Sequence, residues 1–240
     1  MLALASSNDL RTAPLGAAAP AAAPDAHLPG RPEDLPWFNA FAEGFRLWVG
    51  DARTPRDPLR AVPLLCDAAR LGHAGSTLLL ATVFDDLAQS AYALHQGLDA
   101  RTYARLAIVY RTAAFWSGAD DPAVELEHES KADWDAARAA AREPRLWSAI
   151  DALSGRAAEN VSPDPFAALR GFEALAKDHP VHGAYLASIA AEEAAERTPE
   201  LSDALDLMEC ARKHLVRSAA AGNRSAQKRL FVHRAGEPRA

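Results

Sequence analysis

The sequence predicts an all-α protein built from antiparallel helix pairs, and three observations point to it. Hydrophobic residues make up 49% of the 240 residues, and alanine, the strongest helix former, is the commonest of them. Isoleucine, which favours strands, occurs only at Ile108, Ile150 and Ile189. Apolar residues recur at intervals of three and four, and no alternating strand pattern of useful length occurs. Helices are therefore expected throughout the folded part of the chain.

The N-terminal segment differs from the rest in composition. Residues 1–35 are rich in alanine and proline and contain no Val, Ile, Phe, Tyr or Trp. Such a segment has little apolar surface to bury against the entropy cost of ordering, so we expect a disordered tail. The composition changes at Pro36, where Phe38 and Phe41 begin an apolar helical face. The chain is thus divided into the tail and a helical domain at 36–240.

Short turn signals separate the helices along this domain. They contain proline, glycine or paired polar residues, as in TPRDP, SGADDP and VSPDP. The predicted helices span 36–50, 57–71, 74–95, 99–117, 121–142, 144–158, 165–178, 181–196, 201–221 and 224–235.

The stretch from residue 57 to residue 84 predicts a tight helical hairpin. Asp57 suits an N-cap, Pro58 suits the first helical position, and Gly72 suits the left-handed position that ends a helix. A turn this short folds the second helix back beside the first, so the two backbones approach closely and exclude long side chains. The small and apolar residues that meet this requirement are Ala61, Ala68, Ser76, Leu80 and Phe84.

The stretch CARKHLVRSAAAGNRSAQKRL repeats the same spacing near the C-terminus, with Asn223 in place of His73. The corresponding positions are Ala211, Ser218, Gly222, Ala226 and Leu230. Two partial copies lie between the two hairpins. The first keeps Ala107, Ala114 and Gly118, and the second keeps Ala167 and Ala174, with Asp178 where glycine would stand.

These two stretches resemble the Sel1-like repeat, a relative of the tetratricopeptide repeat. The pattern of that family is alanine, then Ala-Ala seven residues later, then Gly followed by His or Asn, and then Ala and Leu. The resemblance implies that 36–240 is a helical-repeat domain folded as an α-solenoid, which binds proteins or peptides on its concave face. It also implies an adaptor or scaffold, with no enzymatic activity.

Charge and cysteine content narrow the class of protein. A net charge of -6 argues against a general nucleic-acid binder. Cys66 and Cys210 form no CxxC motif, which favours a reducing, cytoplasmic compartment. No apolar run reaches the length of a membrane span, and the N-terminal stretch MLALASSNDLRTAPLG lacks the basic and apolar regions of a signal peptide. Neither a membrane span nor a signal peptide is expected.

Three features invite a chemical interpretation, and each has a simpler structural one. Glu125 and His128 have the Glu-x-x-His spacing of di-iron bundles, but such sites need a second copy of the motif. His179 and His182 lack an evident third ligand. Cys66 lies on an apolar helical stripe, as a buried small hydrophobe would. Since the chain also has no phosphate-binding glycine loop and no GxSxG motif, we predict no catalytic residue, no metal and no cofactor.

Two sets of residues are candidate partner contacts. Tyr and Trp commonly anchor interfaces, and the aromatic candidates on successive helices are Tyr103, Tyr110, Trp134 and Tyr185. The second set lies in residues 212–240, which contain eight Lys or Arg and one Glu, a net of +7, whereas the residues before them carry 18 basic and 31 acidic side chains, a net of -13. Its candidates are Arg224, Lys228 and Arg229. They predict contact with an acidic partner surface or docking on the acidic body of the chain, and a solvated cap is the simpler alternative.

The leading interpretation is a cytoplasmic, bacterial-type adaptor or scaffold that binds a partner protein or peptide. The first alternative is a structural subunit of a larger assembly. The second alternative is a helical-bundle enzyme or a metal-binding protein.

Overall fold

A computed structural model describes residues 34–116, 143–155 and 162–236. Within these ranges the long regular elements are all α-helices, which confirms the all-α prediction for this part of the chain. Several predictions lie outside the described residues: the tail up to residue 33, the helix at 121–142, and the candidates Gly118, Glu125, His128 and Trp134.

Nine helices make up the described part of the chain. They are α1 (Phe38–Val49), α2 (Pro58–Arg70), α3 (Ala74–Ala93), α4 (Gly97–Trp116), α5 (Pro144–Ser154), α6 (Pro165–Asp178), α7 (Pro180–Arg197), α8 (Leu201–Ala220) and α9 (Arg224–Gly236).

Aspartate and proline mark the starts of two of these helices. The side chain of Asp57 accepts a hydrogen bond from the amide three residues on, at 3.1 Å, and that of Asp164 does the same at 2.9 Å. Pro58 and Pro165 follow as the first helical residues. The cap satisfies one of the amides that a helix N-terminus leaves unpaired, and proline removes another.

Helices that are neighbours in the chain pack on each other. Connections of three residues join α2 to α3, α3 to α4, α7 to α8 and α8 to α9, and a single residue separates α6 from α7. Contacts of α4 with α5 and α7 link the N-terminal helices to the C-terminal ones. The core is therefore assembled mainly from successive pairs, with α4 as the bridge.

Helix α7 lies at the centre of the C-terminal part of the core. Every residue from His182 to Ala191 is buried, because α6, α8 and α4 all contact this helix. A Cβ atom on Gly183 would lie 2.5 Å from the backbone nitrogen of Ala176. Only glycine permits so close an approach, so α6 and α7 cross backbone to backbone.

The small residues that α6 buries differ from the predicted ones. Ala167 and Ala174 are half-buried, whereas Ala168 and Ala176 are fully buried. The reason is the crossing at Gly183, which turns Ala176 towards α7. The buried face of α6 therefore lies to one side of the face that the repeat spacing indicated.

Candidate functional site

The two hairpin turns have the same backbone geometry. Gly72 and Gly222 both lie in the left-handed region, with φ of 92° and 104°. In the first turn the His73 amide donates to the Ala68 carbonyl at 3.1 Å and the Gly72 amide to the Ala69 carbonyl at 2.9 Å. The equivalent bonds of the second turn, which start from the amides of residues 223 and 222, measure 3.0 and 3.1 Å. This pair of bonds closes the C-terminus of a helix and defines a Schellman motif.

The residue after each glycine caps the helix that follows. His73 Nδ1 accepts a hydrogen bond from the Ser76 amide at 3.2 Å, and Asn223 Oδ1 accepts one from the Ala226 amide at 2.9 Å. The His73 ring also stacks on Trp37, with ring centroids 3.8 Å apart. Burial lowers the pKa of His73, which favours the neutral ring that this cap requires.

Most of the corresponding small and apolar residues are buried in both hairpins. Fully buried residues of the first hairpin are Ala61, Ala68, Ser76 and Leu80. The second hairpin buries Ala211, Ser218 and Ala226, while Leu230 is half-buried. Ser218 and Asn223 also donate side-chain hydrogen bonds to the Val181 carbonyl, which ties the second turn to the start of α7.

A third turn of the same kind joins α3 to α4. His95 has a φ of 59°, its amide donates to the Tyr92 carbonyl at 3.0 Å, and the Gln96 amide donates to the Ala91 carbonyl at 2.9 Å. The residues up to 236 that the structure describes include no other non-glycine residue with positive φ. The break between the predicted helices 74–95 and 99–117 falls at this turn. Its left-handed residue was not predicted, because histidine occupies the position where the other turns have glycine.

Burial corrects two of the four predicted aromatic contacts, Tyr110 and Tyr185. Tyr110 is 1% exposed, its hydroxyl lies 3.3 Å from Cys66 Sγ, and its ring stacks on Phe84. Tyr185 is 4% exposed. Both rings belong to the core and present no surface to a partner, whereas Tyr103 is half-buried beside Phe84.

Cys66 is a buried small side chain, as predicted. Burial raises the pKa of its thiol to about 11. A thiol with so high a pKa is protonated at neutral pH and is a poor nucleophile.

A buried ion-pair network joins α4 to α7. Arg105 contacts Glu193 at 2.8 Å and Glu196 at 2.7 Å. The Glu193 carboxylate is 1% exposed and also accepts hydrogen bonds from Thr102 and Arg197, both at 2.8 Å. These partners satisfy the buried carboxylate, and those on α4 link that helix to α7.

The basic candidates of α9 have different surroundings. Arg229 Nη2 donates to both carboxylate oxygens of Glu192, at 2.6 and 2.8 Å, and the guanidinium lies 5.8 Å from the centre of the Tyr185 ring. Arg229 therefore docks on the body of the chain, which is one of the two predicted roles. Arg224 and Lys228 are exposed.

The N-terminal half of α8 carries an exposed apolar strip, which we call the α8 strip and define as Leu201, Leu205 and Met208. Their exposed fractions are 74%, 60% and 46%. The spacing i, i+4, i+7 places them on one face of the helix, and no residue from 201 to 210 is buried. The helix itself was predictable, but the exposure of this face depends on which helices surround it.

The structure also brings together three potential metal ligands that the sequence analysis did not connect. Glu173 on α6 and Cys210 and His214 on α8 place one ligand atom each within 4.8 Å of one another. The Cys-x-x-x-His spacing was a usable signal, whereas the contribution of Glu173 comes from the packing alone. His182, by contrast, is buried with its ring 4.6 Å from that of Trp116, and it belongs to no such cluster among the described residues.

Comparison of this chain with protein-family models, with curated proteins and with solved structures finds no match. None of the described helices combines the length and the apolar character needed to cross a lipid bilayer.

Proposed function

We propose that this chain is a helical-repeat interaction protein whose helix pairs stack as an α-solenoid, and that the α8 strip binds a partner protein. The observation that carries the proposal is the exposure of three large apolar side chains on one helix face. Contiguous exposed apolar surface with a polar surround is typical of protein interaction sites. Asp203 and Asp206, both exposed, supply polar surroundings on the same half of the helix.

Two structural features support the solenoid arrangement. The turns at Gly72, His95 and Gly222 share one hydrogen-bonding pattern. Most of the packing also joins helices that are neighbours in the chain, as in solenoids, where each repeat contacts only the next. Local pairing of this kind leaves the outer faces of helices available to partners.

The spacing of the α8 strip suits a helical partner segment. Residues at i, i+4 and i+7 form a ridge that packs into the groove of another helix. An adaptor binds such a segment reversibly. In the alternative function, a structural subunit, the same strip is covered permanently by a neighbouring subunit.

The test compares charged substitutions at exposed apolar residues on the α8 strip with a charged substitution at an exposed leucine elsewhere. The double variant Leu205→Asp, Met208→Asp changes the α8 strip, and Leu59→Asp changes an equally exposed leucine on α2 (59% exposed). Affinity capture of the full chain from its own cells, followed by mass spectrometry, is expected to recover a partner with the unaltered chain and with Leu59→Asp. The α8 variant is expected to lose most of that partner while its thermal unfolding stays unchanged.

Retention of every partner by the α8 variant would falsify the proposed surface. If a partner is lost, gel filtration of the unaltered complex separates the two functions. A fixed stoichiometry that survives dilution indicates a structural subunit, and dissociation on dilution indicates an adaptor.

Contact of Arg224 and Lys228 with an acidic partner surface stays a prediction, as does a cytoplasmic, non-enzymatic role. An acidic partner predicts a binding affinity that falls with rising salt concentration.

A further inference from the structure

Helices α6 and α8 meet at a cluster of three chemically different side chains. His214 Nε2 lies 3.0 Å from Glu173 Oε1, and the Cys210 sulfur completes a set of ligand atoms within 4.8 Å of one another. All three residues are half-buried, and the side chains of His214 and Glu173 are 14% and 42% exposed. The cluster is thus partly shielded from solvent and still accessible to a small ion.

The spacing of these atoms is close to that of a metal site. With bond lengths of about 2.0–2.3 Å, tetrahedral zinc holds its ligand atoms about 3.4–3.6 Å apart. The distance from His214 Nε2 to Glu173 Oε1 is 3.0 Å, slightly shorter than this, and the Cys210 sulfur lies within 4.8 Å of both atoms. Since Cys210 and His214 are four residues apart on one helix, both side chains project from the same face of α8.

The charges of the ligand set also suit a cation. The Glu173 carboxylate and a Cys210 thiolate are both anionic ligands, and their ligand atoms lie within 4.8 Å of each other. A divalent cation would neutralise both anions and make the thiolate the stable form.

We propose that Glu173, Cys210 and His214 form a zinc-binding site that clamps α6 to α8. The ligand set identifies the metal class, because thiolate and imidazole favour zinc and related transition metals, whereas magnesium and calcium prefer oxygen ligands alone. Three protein ligands leave one coordination position of zinc for water or for a group from a partner. The site shares no residue with the α8 strip.

Binding of zinc to the tag-free full chain, titrated by calorimetry under reducing conditions, tests the site. The expected result is one zinc per chain for the unaltered protein. Cys210→Ser and His214→Ala are each expected to weaken binding by more than about tenfold, since even changes to residues outside the ligand shell weaken metal sites by about 10–100-fold. The matched controls are Cys66→Ala and His95→Gly, which change the other cysteine and an exposed histidine and should leave the binding intact.

The absorption spectrum of bound cobalt(II) supplies a second measurement, which uses only the unaltered chain. Cobalt(II) bound through Cys210 gives a sulfur-to-metal charge-transfer band, which zinc addition should abolish by displacement. The proposal is overturned if the unaltered chain binds no zinc, if Cys210→Ser binds zinc as tightly as the unaltered chain, or if bound cobalt shows no such band. In that case Glu173 and His214 form only an interhelical hydrogen bond.

Discussion

The turn between α2 and α3 and the turn between α8 and α9 share one backbone and differ in their surroundings. Both have a left-handed glycine and the same pair of closing hydrogen bonds. In the first turn, the capping residue His73 is covered by the aromatic rings of Trp37 and Phe41. In the second, the capping residue Asn223 donates to the Val181 carbonyl at the start of α7.

This difference shows which part of a hairpin turn is local and which part depends on its neighbours. The glycine and the small residues satisfy the turn itself, so both hairpins have them. The capping side chain also reaches the next element, where His73 meets aromatic rings and Asn223 meets a carbonyl group. An imidazole can stack on rings and cap at once, whereas an amide can accept from the helix and donate to a carbonyl.

The largest expected loss of stability comes from enlarging a small residue where the two helices of either hairpin pack closely. Ala61→Leu and Ala211→Leu place four-carbon side chains at positions that are 0% and 3% exposed. Each should lower the free energy of unfolding by about 1–3 kcal/mol, because a packed interface must shift to accommodate the added volume. Urea denaturation measures the change.

Arg60→Leu is the control, since Arg60 is exposed on α2 and should tolerate leucine. Equal losses at Ala61 and Ala211 would support equivalent packing in the two hairpins. Unchanged midpoints at both positions would contradict the close approach of the helices.

A smaller loss of stability is expected when the glycine of either turn is replaced by alanine. A Cβ atom on Gly72 or Gly222 would meet no atom within 4 Å, so alanine meets only the backbone strain of positive φ. Gly72→Ala and Gly222→Ala should each cost about 1 kcal/mol of the free energy of unfolding. His95→Gly should have the opposite sign and stabilise by a few tenths of a kcal/mol, because it relieves that strain at the third turn.

Chemical denaturation midpoints at constant m-value are the measurement for this series as well. A stabilisation by Gly72→Ala, or a destabilisation by His95→Gly, would show that positive φ does not govern these turns.

The smallest expected effect is a pH dependence confined to the first turn. The pKa of His73 is lowered in the folded protein, below an unfolded value of about 6.5. The stabilising contribution of the neutral ring is therefore complete above about pH 6.5 and is lost as the pH falls through the folded pKa. The loss should be smaller than the effects above, since the half-buried ring is partly screened by solvent.

His73→Asn gives the first turn the capping residue of the second turn, and it should remove this part of the pH dependence. The measurement is the difference in the free energy of unfolding between about pH 7.5 and about pH 5, values on either side of the histidine pKa. The prediction is wrong if the unaltered chain and the His73→Asn variant lose the same free energy of unfolding over that pH interval.

Much of the fold follows from patterns within a few residues of each other. The helix starts at Asp57 and Asp164 and the turns at Gly72 and Gly222 rest on hydrogen bonds between residues at most five positions apart. Such patterns are visible in the sequence. The break between the helices predicted at 74–95 and 99–117 was also visible in the sequence. The left-handed geometry of His95 was not predicted, because a non-glycine residue with positive φ has no sequence signal of its own.

The candidate sites were less predictable, because exposure and proximity are properties of the packed molecule. Tyr110 and Tyr185 have the chemistry of interface anchors, yet neighbouring helices bury both rings. Leu201 and Leu205 have the chemistry of core residues, yet no helix covers them among the described residues.

The sequence by itself determined the helical class, the caps and the two glycine turns, because each depends on backbone geometry and on bonds between residues close in the chain. Only the tertiary structure decided that α6 and α7 cross backbone to backbone at Gly183 and that Glu173 lies beside Cys210 and His214. The physical reason is separation along the chain. Helices α6 and α8 meet through their common packing on α7, so a contact between residues 173 and 214 depends on the orientation of three helices at once.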